Sequence, residues 1–143
     1  MSTEYLVNKI LTAPVGHVAD VLSEILNCNI DLQIIEQNTV MPHKFIRKIS
    51  ISANELPVIK AHVKFDSTIL PKFILDELLK KKQGIGTILT QNNIHATRNV
   101  ISVNHNLDES KVSREYEILK DGTLWFTILE EIRLGALSAN NDR

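Results

Sequence analysis

The sequence predicts an α+β domain: an antiparallel sheet of about six strands with helices packed over it. Strand-like runs outnumber helical ones and follow one another through short turns, and Asp121-Gly122 between two such runs is a strong hairpin signal. Two segments, near residues 15–26 and 71–82, instead carry apolar residues at three- and four-residue spacing. With 143 residues, 43% of them apolar, one core can be filled and no second domain is needed. The expected unit is 1–143, with its core at about 15–134 and a polar, frayed tail at 138–143.

Val18, Val21, Leu22, Ile25 and Leu26 mark an amphipathic helix over 15–26, entered through Pro14-Val15-Gly16 and ending at Asn27-Cys28-Asn29. Isoleucine-rich Leu32 to Val40 suits a first strand. Lys44 to Ser52 and Val58 to Phe65 suit two more, joined across 53–57 as an antiparallel hairpin. The second helix is signalled by Ser67-Thr68 before it, Pro71 in its first turn, lysines at its end and Gly84 beyond, with Phe73, Ile74, Leu78 and Leu79 expected on the sheet. Ile94 to Asn104, then Ser113 to Leu119 and Thr123 to Ile132, complete the strands.

Two of these strands carry a charge where an apolar residue belongs. Period-two alternation places Arg47 on the side of Ile49 and Ile51, and Glu130 on the side of Phe126, Ile128 and Ile132, while Glu131 faces the other way. A buried charge needs a partner or a ligand. One reading pairs Arg47 with Glu130 or with other core groups and implies no chemistry; the other places both at a ligand site.

Composition excludes several classes. Sixteen basic against seventeen acidic residues leave a charge of −1, and the cations are dispersed except for Lys80-Lys81-Lys82, which complement the C-terminal end of a helix dipole; no nucleic-acid footprint results. A single cysteine, Cys28, forbids an intrachain disulfide, and the five histidines show no metal-ligand spacing, so no metal is expected. Neither a signal peptide nor a membrane span is legible. The expectation is a soluble monomer of a reducing compartment, cytoplasmic, or of a plastid stroma if the abundant isoleucine and asparagine reflect an AT-rich organelle genome.

Gln83-Gly84-Ile85-Gly86-Thr87 precedes a possible helical turn at 87–90. It reads either as an ordinary C-cap after the lysine-rich helix or as a nest of backbone N–H groups for a carboxylate. Beside Arg47, whose guanidinium can hold a carboxylate in bidentate fashion, and opposite Glu130, which can hold a hydroxyl or move a proton, the second reading describes an apolar pocket for a small hydroxylated carboxylic acid.

Arg47 in a strand, Leu56-Pro57-Val58-Ile59-Lys60-Ala61, Leu70-Pro71, Gly84-Ile85-Gly86, Thr97-Arg98 and the Asp121-Gly122 hairpin ending in Glu130 occur in an order and spacing that resembles the chorismate pyruvate-lyase family, from about Gly16 to Leu134. The resemblance implies a sheet of about six antiparallel strands covered by helices, and cofactor-free cleavage of chorismate to 4-hydroxybenzoate and pyruvate for quinone synthesis. It also implies roles: Arg47 for the ring carboxylate, the backbone N–H of Ile85 and of Val18 as further donors, and Glu130 at the ring hydroxyl and the scissile ether. Positioning in a dry pocket would then do most of the catalysis.

The chain departs from the family pattern at Gly84, where the family has proline, at Leu129, where threonine is common, and at Ala19-Asp20, where Thr-Arg follows the early-helix position. Arg98 fits the family's Thr-Arg pair and is expected in a structural salt bridge; His62 shares the polar face with Lys60 and Lys64. The alternative reading, from a different class, is a non-catalytic protein that binds a small aromatic acid, similar to the effector-binding domains of GntR-type regulators. Fewer than twenty residues precede Gly16, which weighs against a complete regulator with its winged helix.

Overall fold

The computed structural model describes residues 1–141. Six antiparallel strands run β1 (Ile30–Met41), β2 (Lys44–Ala53), β3 (Leu56–Asp66), β4 (Thr97–Asn106), β5 (Lys111–Lys120) and β6 (Thr123–Arg133). Their order across the sheet is β1-β2-β3-β6-β5-β4, so two three-stranded meanders meet at β3 and β6. The β2–β3 and β5–β6 hairpins close through two-residue turns, Asn54-Glu55 and Asp121-Gly122, whose residues all take positive φ, the geometry that matches strand twist. Helices α1 (Thr3–Leu11), α2 (Val18–Leu26), α3 (Lys72–Leu79), α4 (Ile85–Gln91) and α5 (Leu134–Asn141) complete the chain.

The core lies on one face of the sheet in two clusters. α3 and α4 cover Val63, Phe65, Phe126 and Ile128 with Ile74, Leu78, Ile88 and Leu89. α1, α2 and α5 cover Ile51, Ile59, Val112 and Ile132 with Leu6, Ile10, Leu22 and Leu137. Phe65 stacks on Phe45 with ring centroids 5.1 Å apart and meets the edge of Phe126 at 6.0 Å.

Several expectations need correction. The core reaches beyond 15–134, because α1 buries Leu6, Val7 and Ile10 completely or nearly so. The helix expected over 15–26 begins at Val18, after Gly16 turns the chain at φ +87°. Residues 138–141 belong to α5, where Asn140 is buried with its amide bonded to Asn54 and to the Ala136 carbonyl; residues 142 and 143 of the expected frayed tail lie outside the described residues. Phe73 and Leu79 are exposed, since Ile74 and Leu78, four apart, already fill the one stripe of α3 that meets the sheet.

Candidate functional site

Between the sheet and the entrances of α2 and α4 lies a cavity of about 110 Å³. Val15, Gly16, Val18 and Ala19 form one wall, Gly84 to Thr87 another, and Ile49, Ala61, Ile128 and Glu130 are among the residues of its floor. Its width is set by glycine. A Cβ on Gly86 would stand 2.7 Å from Gly16 Cα and 2.9 Å from Gly16 O, so the two walls touch backbone to backbone. The Gly-x-Gly of the sequence therefore serves close approach as well as the turn.

Of the residues singled out from sequence, Val18, Ile85 and Glu130 line this cavity. Arg47 does not. It is fully buried, and its Nε donates to Gln37 Oε1 at 2.7 Å, Nη1 to the Gln83 carbonyl at 2.7 Å and Nη2 to the Leu78 carbonyl at 2.9 Å. These are the last turn of α3 and the residue before Gly84, so Arg47 staples the α3–α4 connection to β2. Gln37, opposite Arg47 in the register, also donates to the Leu78 carbonyl. Burial without a carboxylate partner brings the Arg47 pKa down to about 10, which still leaves the group charged at neutral pH.

Glu130 pairs with Arg114, and not with Arg47. Arg114 stands directly opposite on β5, its Nε donating to Glu130 Oε1 at 3.0 Å and its Nη2 lying 2.9 Å from the same oxygen. The Tyr116 hydroxyl donates to Oε2 at 3.2 Å. Desolvation first, and the Glu130 carboxylate second, hold the Tyr116 hydroxyl far above the usual phenol range, so it stays a donor. The guanidinium carbons of Arg114 and Arg98 lie 4.5 and 5.0 Å from the centre of the Tyr116 ring.

Arg98 was expected in a salt bridge and has none among the described residues. Its Nη1 donates to the Ala13 carbonyl at 2.7 Å, its Nε is buried with no partner, and the side chain lines the cavity. Burial, and then the Arg114 charge, lower its pKa. Arg114 Nη1 likewise donates to the Leu11 carbonyl at 2.9 Å, so both arginines tie the α1–α2 connection to the sheet. One carboxylate thus answers two guanidiniums at this end of the cavity. Sequence reasoning missed Arg114 and Tyr116, although Val112, Arg114, Tyr116 and Ile118 carry the same inward-charge pattern that exposed Glu130.

No protein-family model matches the chain, and no curated protein does. Among solved structures it is similar to the ligand-binding domain of a candidate GntR-family transcriptional regulator from Bordetella bronchiseptica, at 11% identity and TM-score 0.49, over 72% of this chain and 85% of that one. It is also similar to a GntR-family transcriptional regulator from Bacillus cereus, at 12% identity and TM-score 0.46, over 72% and 90% of the two chains.

Proposed function

We propose that this protein binds a small hydroxylated carboxylic acid in the cavity between the sheet and the entrances of α2 and α4. The observation that carries the reading is the surplus of positive charge at one end of an otherwise largely apolar cavity, where Arg98 keeps a buried Nε donor without a partner while Arg114 is neutralised by Glu130. An anionic ligand supplies the missing acceptor. Glu130 and Tyr116 then face a hydroxyl, which can donate to the carboxylate. Arg98 is the guanidinium that lines the space; for Arg47 to take the ligand, as the family resemblance implies, it would have to release Gln37, Leu78 and Gln83.

Size narrows the class. A cavity of about 110 Å³ is somewhat smaller than the roughly 150 Å³ that accepts benzene. A single-ring acid such as 4-hydroxybenzoate needs a small outward movement of the walls, and chorismate, which carries an enolpyruvyl ether as well, needs a larger one.

The second reading is catalytic: cleavage of chorismate to 4-hydroxybenzoate and pyruvate. The order of motifs from Arg47 to Glu130 supports it, as does the place of Glu130 in the cavity wall. In that reaction the ether C–O bond breaks, the ring loses a proton and becomes aromatic, and the enolpyruvyl group leaves to become pyruvate; Glu130 is the group placed to hold or accept a proton. Incubation with chorismate, with pyruvate and aromatic acid followed together against a heat-denatured control, separates the readings. Equal release of both products supports the lyase. Saturable calorimetric binding of 4-hydroxybenzoate without release supports a binding protein, and neither signal removes both.

A further inference from the structure

A second cavity opens at the end of the sheet, where the β1–β2 turn, the chain leaving β3 and the start of β6 meet. It is an open groove of about 440 Å³, against about 110 Å³ for the cavity described above, and the two share no lining residue. Phe45, Ile46, Phe65, Ile69, Leu124 and Trp125 give it apolar walls. The Phe45 and Phe65 ring planes lie 2° apart and make one flat wall, while Ile69 and Leu124 are left 48% and 40% exposed. Size and lining are those of a small-molecule site.

Two features say what the groove takes. Trp125 is the extra residue of a β-bulge, because β5 pairs Ile118 with Phe126 and Leu119 with Leu124 and skips it. A bulge re-aims a side chain. Trp125 is only 8% exposed, yet its indole N–H donates to no acceptor among the described residues. A buried indole ordinarily finds one. The second feature is charge. Lys44 and Lys64 both line the groove, and neither has a carboxylate within 4.0 Å among the described residues. The acids nearby are already engaged: Asp66, the register partner of Lys44, accepts two hydrogen bonds from Thr68, and Glu117, one strand beyond Thr127, accepts from Asn99. On the groove itself two ammoniums stand against one carboxylate.

We propose that this groove binds an amphipathic carboxylate, its apolar body along Phe45, Phe65 and Trp125 and its head group at Lys64 and Lys44. The carboxylate supplies the missing counter-charge, and its oxygens offer the acceptor that the indole N–H lacks. The apolar body is longer than one ring, since a cavity of roughly 150 Å³ already takes benzene. A medium-chain fatty acid belongs to this class: its chain removes the exposed Ile69 and Leu124 from water while its charge stays at the rim. The site is independent of the acid proposed at Arg98, from which it differs in every lining residue.

Trp125 is the only tryptophan of the chain, so its fluorescence reports on this groove directly. Titration of the full chain with decanoate, kept below its micelle concentration, should shift the emission saturably. Decyltrimethylammonium, the same chain length with the opposite charge, should bind about fivefold more weakly, and so should decanoate to Lys64→Glu, the scale of one exposed ion pair reversed. Ile69→Asp sets a carboxylate among the apolar walls at an exposed position and should weaken decanoate further still. Circular dichroism checks that both variants are folded. An emission that decanoate leaves unmoved, equal affinity for the cationic chain, or folded variants that bind decanoate as wild type does would each overturn the proposal.

Discussion

Arg114 and Glu130 face each other across β5 and β6 with Nη2 and Oε1 2.9 Å apart, both almost wholly removed from water. Their attraction is needed mainly to offset the cost of burying them. Substituting Arg114 by Met leaves a carboxylate in the core with only Tyr116 to bond it, and should destabilise the fold by about 3–5 kcal/mol. The double variant Arg114→Met, Glu130→Leu should recover most of that loss. Urea unfolding of the three proteins measures it; a double variant no more stable than the single one would contradict this account.

Arg47 has a different task. Its three hydrogen bonds go to three separate acceptors on Gln37, Leu78 and Gln83, a geometry the planar fork can reach and a lysine cannot. Arg47→Lys should therefore free the α3–α4 connection and raise hydrogen exchange at residues 80–86 above that of the β5–β6 hairpin. Exchange unchanged at 80–86 would show that Arg47 does not hold that wall.

Gly86 and Gly135 form a matched pair for testing the cavity walls. An added Cβ at Gly86 meets Gly16 backbone at 2.7 Å, whereas one at Gly135 meets nothing within 4 Å. Gly86→Ala should cost about 1–3 kcal/mol by overpacking and weaken ligand binding. Gly135→Ala, in α5, should be neutral or stabilising by up to about 1 kcal/mol. Thermal unfolding and titration of the two variants compare them directly.

Asp66 gives a pH dependence with a definite sign. Its Oδ1 accepts from the Thr68 hydroxyl at 2.6 Å and the Thr68 N–H at 2.8 Å, and these bonds lower its pKa below the ordinary 3.8. The unfolded chain then binds the proton more readily, so the contribution is complete above pH 3.8 and lost as pH falls through the lower folded value. Asp66→Asn should be less stable than wild type at pH 7, with the gap shrinking toward pH 2. Equal gaps at both pH values would contradict the assignment.

The two buried charges that sequence parity picked out, Arg47 and Glu130, are both in the core at 0% and 5% exposure. Their partners could not be read the same way. Alternation within one strand says which side a residue faces, but Glu130 has Arg114 on one flank and Ala61 on the other only because of how the two meanders are ordered. α1 went unread although Leu6, Val7 and Ile10 have helical spacing, and α5 carries few apolar residues, its burial resting partly on the Asn140 amide. The exposed Phe73 shows the converse limit: two helix stripes can look equally apolar, and packing chooses one.

The central claim, a carboxylic acid held at the Arg98 end of the cavity, is tested most directly by an amide-resolved NMR titration with 4-hydroxybenzoate on wild type and Arg98→Ala. The account predicts saturable shifts at Val18, Ala19, Ile85 and Gly86, and at least about tenfold weaker binding in the variant, as expected for losing a hydrogen bond to a charged group. Shifts absent from these residues, or an affinity that Arg98→Ala leaves unchanged, would contradict it.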